Sequence, residues 1–365
     1  QDDYEKWLKE QQQSFDALAQ EENNYQAVVT EAFDGYLAEQ AQLYQDFKDE
    51  VEQKWDEFKY SSSKTYVDYD SDLNARGSVD FENGVVEIEV IVVDDPQRSV
   101  ADKKQLGDEK LQEKLTQIVT KKADDKQPLL KDQLQNKQGK KVTSGNAGSF
   151  AKEVIQDKEI KKEKFTAKDG KKRIKYTVQV QMQPDHVKTR ANRFKREVLK
   201  QSKRFKIDPA VAFAIMQTES SFNPKARSHI PAYGLMQLVP KSGARDAFYH
   251  VYKKDRLLKD TYLYVPANNI ELGCAYINKI RYAYFKNIKD DKSAYYCTIS
   301  AYNTGAGNVA RALTGKTKLK AATNKVNSMN PDKVYKTLKT KLPHAETRNY
   351  LEKVIGRIEY YRTWI

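Results

Sequence analysis

The stretch Ala214-Ile-Met-Gln-Thr-Glu219-Ser-Ser-Phe-Asn-Pro224, followed by Gly234-Leu-Met-Gln237, sets a single glutamate at the end of an apolar run. Upstream, Asp208 followed by Pro209 reads as an N-cap and a first helical residue, so a helix runs from Pro209 toward Glu219. No other carboxylate lies between Glu219 and Gln237, and the next in the chain is Asp246. A carboxyl group at an apolar helix end is held partly out of water. Its neutral form is favoured, its pKa rises, and it becomes a proton donor near neutral pH. A lone glutamate in such a place is usually a surface residue closing a core helix, so further motifs must carry the reading.

They are present. Glu219-Ser-Ser-Phe-Asn-Pro-Lys-Ala-Arg-Ser228, then Gly234-Leu-Met-Gln237, then Ala301-Tyr-Asn-Thr-Gly-Ala-Gly307, then Glu346-Thr-Arg-Asn-Tyr350 resemble the successive motifs of lytic murein transglycosylases, in that family's order. The resemblance covers about residues 186–365. A fainter upstream likeness, of layout more than motif, points to the membrane-bound lytic murein transglycosylase C type.

The resemblance implies a lysozyme-like, mainly helical catalytic domain that cleaves the MurNAc-β-1,4-GlcNAc bond of peptidoglycan glycan strands without water, exolytically, and without cofactor or metal. Glycoside cleavage ordinarily uses two carboxyl groups, and here one stands out. Glu219 is expected to serve first as acid and then as base, with the muramoyl acetamido group shielding C1 and the C6 hydroxyl attacking it. Tyr302 is expected to orient the Glu219 carboxyl, with Asn303 beside it. Ser228 is placed near the acetamido group or the catalytic carboxyl, Met236 against a sugar face and Gln237 in a hydrogen bond to it. Tyr350 closes another cleft wall, and Glu346 meets the stem peptide. Phe222 and Leu235 read as core, and Gly305 and Gly307 as conformational. Two departures from the family pattern are Pro231, which stiffens its loop, and Ile230, at a position polar in some relatives.

Composition limits the alternatives. Residues 1–59 carry 5 Lys+Arg against 16 Asp+Glu, and residues 186–365 carry 35 against 13. A basic domain suggests nucleic acid, but no helix-turn-helix, zinc spacing or RNP-like motif accompanies it, and peptidoglycan carboxylates or an anionic lipid surface fit equally well. Two cysteines, Cys274 and Cys297, are too few for a zinc site, and the pair is expected either as a disulfide or as two buried thiols. The four histidines lack ligand spacing, and no G-x-S-x-G elbow is present. A goose-type muramidase remains open, with Asp246 as its nearest second carboxylate, as does a non-catalytic peptidoglycan-binding protein.

The organisation expected is an α+β N-terminal domain over residues 1–185 and the catalytic domain over residues 186–365. Apolar residues from Tyr4 to Phe58, at mostly three- and four-residue spacing, predict one long acidic helix or a helical pair bent near Gly35. Thr65–Tyr69, Gly77–Glu82 and Val85–Val93 read as strands, with Asn83-Gly84 as a hairpin turn. Residues 101–135 read as helical, 136–148 as loop, and Arg173–Met182 as a further strand. Helices are predicted at Val187–Phe205, from Pro209, and at Ser242–Lys253, Pro266–Phe285, Ser293–Tyr302, Val309–Leu313, Asp332–Thr340 and Glu346–Tyr361. A monomer is expected in the periplasm, tethered to the outer membrane in its precursor by a lipid anchor that this chain does not carry.

Overall fold

The computed structural model describes residues 2–229 and 231–365, with backbone alone for residues 2–11 and 13–26. The expectation at Ile230, and the side chains of Tyr4, Leu8, Phe15, Leu18 and Tyr25, lie outside the described residues. The chain divides into two compact units, Gln1–Gln53 and Lys54–Ile365.

The first unit is one helix, α1 (Asp2–Lys54), continuous through Gly35. Side-chain pairs one turn apart support it: Gln42 Nε2 donates to Asp46 at 2.7 Å and Gln45 Nε2 to Asp49 at 2.8 Å.

The second unit opens with an antiparallel sheet. Its strands are β1 (Thr65–Tyr69), β2 (Ala75–Asp80), β3 (Val85–Val93), β4 (Lys161–Thr166) and β5 (Lys172–Gln181), in the order β1-β2-β3-β5-β4. The two-residue period of β3 explains its placement. Val86, Ile88, Val90 and Val92 turn inward, against α2 (Val100–Thr120) and α3 (Ala147–Asp157), while Glu87 and Glu89 face the other way. On that second face Arg76 is fully buried. It grips Glu89 through two bonds of 2.7 and 3.0 Å and lies 4.1 Å over the Trp55 ring.

Three sequence expectations change here. The hairpin between β2 and β3 is a four-residue loop rather than a two-residue turn. Only Gly84 takes positive φ (69°), while Asp80 accepts from the backbone of Glu82 and Asn83. The helix predicted over 101–135 stops at Thr120. Beyond it, Lys126 and Asp132 adopt left-handed backbone and Pro128 pairs with Lys122 in an isolated bridge, none of which a helix allows. Strand β4 was not foreseen; its lysine-rich sequence is exposed along nearly its whole length and lacks the alternation that marks a half-buried strand.

The helical part comprises α4 (His186–Phe205), α5 (Pro209–Ser220), α6 (Arg245–Tyr252), α7 (Asp260–Leu263), α8 (Pro266–Lys279), α9 (Asp291–Thr304), α10 (Ala306–Thr314), α11 (Leu319–Asn327), α12 (Pro331–Lys341) and α13 (Ala345–Trp364). Single π-helical turns precede α6 at Pro240–Ala244 and extend α8 at Ile280–Tyr284. Helices α7 and α11 were not anticipated. Helix α5 is apolar all round, and Val211 to Met216 are buried without interruption, so it runs through the middle of the helical core. Asp208 caps it, accepting from Ala210 N at 2.8 Å. Cys274 and Cys297 are both free thiols, buried in this core. No helix among the described residues is long and apolar enough to cross a membrane.

Candidate active site

Helix α5 carries Glu219 in its last turn, where the carbonyl end of the helix dipole opposes a negative charge. The residue keeps some exposed surface, yet its carboxyl is surrounded by protein. Desolvation pushes its pKa up to about 8. The Tyr350 hydroxyl and the Lys64 ammonium act against that rise, and the Glu346 charge adds to it. Burial, then the Glu219 charge, drives the Tyr302 and Tyr350 phenols well above their ordinary value, so both stay protonated.

The chain leaves α5 through an unusual turn. Ser221 and Phe222 have φ of 50° and 62°, two consecutive side-chain-bearing residues in the left-handed region. Several bonds hold this turn. Ser220 Oγ donates to Leu235 O at 2.7 Å, Asn223 N to Ser220 O at 2.9 Å, and Asn223 Nδ2 to Ser63 O at 3.5 Å.

The Gly234–Gln237 segment is pinned from α8. Asn269, fully buried, accepts from Met236 N and donates to Tyr233 O and Leu263 O, all at 2.8 Å. Gly234 has φ 74° and packs against Asn269 and the Leu263 carbonyl. Gln237, itself at φ 47°, donates from Nε2 to Gly234 O at 3.0 Å. An open pocket of about 270 Å³ is lined by Gln237, Ser242, Tyr276, Tyr302, Asn303 and Gly305 among others.

The predicted site residues fall into place unevenly. Glu219, Tyr302, Tyr350 and Glu346 come together electrostatically. Gln237, Tyr302 and Asn303 share the pocket wall. Asn303 Oδ1 accepts from Thr347 Oγ1 at 2.7 Å, which ties the α9 end to the first turn of α13, where Glu346 is exposed. Ser228 lies on the loop beyond the turn, its N–H donating to Ala232 O at 3.1 Å.

Two expectations need correcting. Met236 is fully buried with its sulfur against Gly273, so its side chain cannot face a sugar; only its backbone serves the site. The Tyr302 hydroxyl donates to Met236 O at 2.8 Å instead of to Glu219. Tyr350 also borders the carboxyl and acts to lower its pKa, while its buried hydroxyl makes no ordinary hydrogen bond among the described residues. Asp246 is occupied elsewhere, by Lys279 at 3.2 Å and the Tyr284 hydroxyl at 3.0 Å. Sequence reading missed Asn269, whose signal was a polar residue amid the apolar positions of α8. It also missed Lys64, for which a position 155 residues before Glu219 gave none.

The chain matches the Transglycosylase SLT domain family over residues 197–325 and the N-terminal domain of membrane-bound lytic murein transglycosylase C over residues 26–193. The membrane-bound lytic murein transglycosylase C of Klebsiella pneumoniae subsp. pneumoniae is 34% identical over 323 residues, 87% of this chain and 87% of its own. That of Salmonella arizonae is 33% identical with the same coverage. Among solved structures, an inactive mutant of the lytic transglycosylase Slt from Pseudomonas aeruginosa aligns with a TM-score of 0.35 at 27% identity, over 46% of this chain and 23% of that one. With a third of its residues shared over nearly its full length, the chain belongs to the membrane-bound lytic murein transglycosylase C family and is a lytic transglycosylase, a lyase.

Proposed function

We propose that the chain cleaves the MurNAc-β-1,4-GlcNAc bond of peptidoglycan exolytically and leaves a 1,6-anhydromuramoyl end, with Glu219 as the only proton carrier. The observation that carries this reading is the single Glu219 carboxyl at the end of α5, bordered by the buried Tyr302 and Tyr350, where desolvation raises its pKa to about 8. In the neutral form it protonates the glycosidic oxygen, and the C1–O bond breaks as the 2-acetamido group shields C1. The resulting carboxylate then takes the C6 hydroxyl proton while O6 bonds to C1. Glu219 returns to its starting state and no water is consumed.

Tyr350 steadies the carboxyl between these two duties, and Tyr302 acts through the Met236 carbonyl. Gln237 and Asn303 offer amides to the sugars, Ser228 stands beside the acetamido group, and Glu346 meets the stem peptide. On this reading residues 1–185 form the N-terminal domain and residues 186–365 the catalytic domain.

Digestion of purified sacculi, with products weighed by mass spectrometry, tests the reaction type. Anhydro ends lighter by one water than muramidase products are expected; reducing ends as the main product would replace the reading with hydrolysis.

The membrane-bound names of the relatives support a periplasmic enzyme tethered to the outer membrane, with the acidic helix α1 as spacer. Like charge keeps such a spacer off an anionic surface. Fractionation of cells expressing the full-length gene should place it with outer membranes. Complete recovery in the soluble periplasm would remove the tether and leave the enzyme.

A further inference from the structure

Arg190, in α4, is 2% exposed, and its hydrogen-bond partners among the described residues are all neutral. Nε donates to Ser221 O at 2.9 Å. Nη2 donates to Phe81 O, and Nη1 to the Gln133 side-chain oxygen at 2.5 Å. Nη1 also lies 3.0 Å from Nδ1 of His186. Burial lowers the Arg190 pKa to about 9 against the weaker opposing pull of Tyr361 and Asp80, neither of which forms an ion pair with it. Burial followed by the arginine charge takes His186 down to about 4. His186 is therefore neutral at working pH, and its ring sits under Gly84, where a Cβ would come within 2.7 Å.

Apart from His186, which shares α4 with Arg190, these partners come from three places. Phe81 belongs to the β2–β3 loop, and Gln133 to the irregular segment after α2, itself tied to the sheet exit by Gln183 N at 2.9 Å. Ser221 begins the strained left-handed turn two residues after Glu219. A guanidinium is rigid and planar, so it fixes these acceptors relative to one another as an ammonium cannot. Keeping a cation dry is costly unless its donors are satisfied. The arrangement thus persists only while both the sheet loops and the helix end are in place. The pinning is reinforced by Asn223 on Ser63 O, by Arg227 N on Ser62 O at 3.3 Å, and by the Arg227 guanidinium on the Tyr60 hydroxyl at 2.8 Å.

The geometry points to Arg190 as a positioning residue through which the α+β part of the chain sets the location and dryness of the Glu219 carboxyl. The inference rests on Glu219 being the acid. The N-terminal part is then a structural component of the catalytic centre as well as its carrier. The groups that face Glu219 from the packed elements are Tyr302 on α9, Tyr350 and Glu346 on α13, and Lys64 before β1. None of them is altered by changing Arg190, so a change in the titration of Glu219 reports its position and hydration.

The test uses the full chain with Arg190→Lys and, separately, Gln133→Met, which removes one acceptor from the sheet side. Steady-state kinetics on isolated glycan strands are followed across pH, with thermal melts in parallel. Arg190→Lys should lower kcat about tenfold or more with KM within about twofold. Water reaching the carboxyl should move the alkaline limb of the kcat profile down by about one pH unit. Gln133→Met should shift the limb in the same direction by less, and it decides the matter if Arg190→Lys does not fold. Unchanged alkaline limbs overturn the inference even if the melting temperatures fall, because a merely structural role lowers stability without retitrating Glu219. Activity surviving in Glu219→Gln would instead remove the acid assignment on which the inference stands.

Discussion

Glu219→Gln lowers turnover of purified sacculi by about 10³-fold or more and leaves sacculus binding near the wild-type level. The amide fills the same space and cannot give or take the proton. Turnover and a pull-down on sacculi check this directly, and substantial residual turnover would place the acid elsewhere.

The same substitution has a stability signature. The folded-state pKa of Glu219 is raised to about 8, above the unfolded value near 4.5. Below the unfolded value the group is protonated in both states and costs nothing. As pH climbs toward 8 the unfolded chain ionises while the folded one does not, so wild-type stability drains away, and the loss levels off once the folded group ionises too. Glutamine has no such dependence. Glu219→Gln is therefore expected to match wild type near pH 4 and to exceed it above pH 8 by about 3 kcal/mol, a figure reduced from the full shift because part of the residue meets solvent. Thermal melts at the two pH values read this out. An equal melting-temperature difference at both would mean that Glu219 is not held neutral.

Gly234→Ala should cost about 4 kcal/mol and most of the activity. At φ 74° an L side chain is already strained, and the new Cβ would lie 2.4 Å from Asn269 Nδ2 and 2.5 Å from the Leu263 carbonyl oxygen. Asn269 cannot swing away without releasing Met236 N, whose carbonyl in turn anchors Tyr302. The backbone of the Gly234–Gln237 segment would shift, and the pocket wall with it. Urea unfolding measures the cost. By contrast, Gly305→Ala meets no atom within 4 Å and suffers only from its φ of 86°, so its unfolding curve is the control. Equal losses in the two variants would show that backbone strain alone, and not the Asn269 contact, makes Gly234 necessary.

Much of this protein is legible in its amino-acid sequence. The order and spacing of four motifs name the family and pick out Glu219. Asp208-Pro209 marks the start of α5, because capping and a fixed proline φ are local properties. Alternation in Val85–Val93 and Arg173–Met182 marks two strands that pair, because a two-residue period has a single buried face. The misses are also local in cause. Residues 121–135 have enough apolar residues to suggest a helix, yet Leu129, Leu130 and Leu134 are buried from an irregular segment closed by its own turns.

The tertiary structure alone decided where the motif side chains lie and what they touch. Tyr302 and Tyr350 are both tyrosines within motifs, and nothing in the sequence signals that the Tyr302 hydroxyl is taken by the Met236 carbonyl while both phenols sense the Glu219 charge. How each phenol is aimed depends on the direction in which α9 and α13 approach α5, and spacing along the chain does not encode that direction. Met236 reads as a cleft residue until Gly273 is seen to leave a space for its sulfur on α8. The high pKa of Glu219 is mainly a desolvation effect, a sum over every atom packed near the carboxyl, and it is opposed by groups as far apart in the chain as Lys64 and Tyr350. Sequence determines the chemical groups and the local backbone that presents them. Closure of the chain over long separations fixes their distances and their access to water, and on these their reactivity depends.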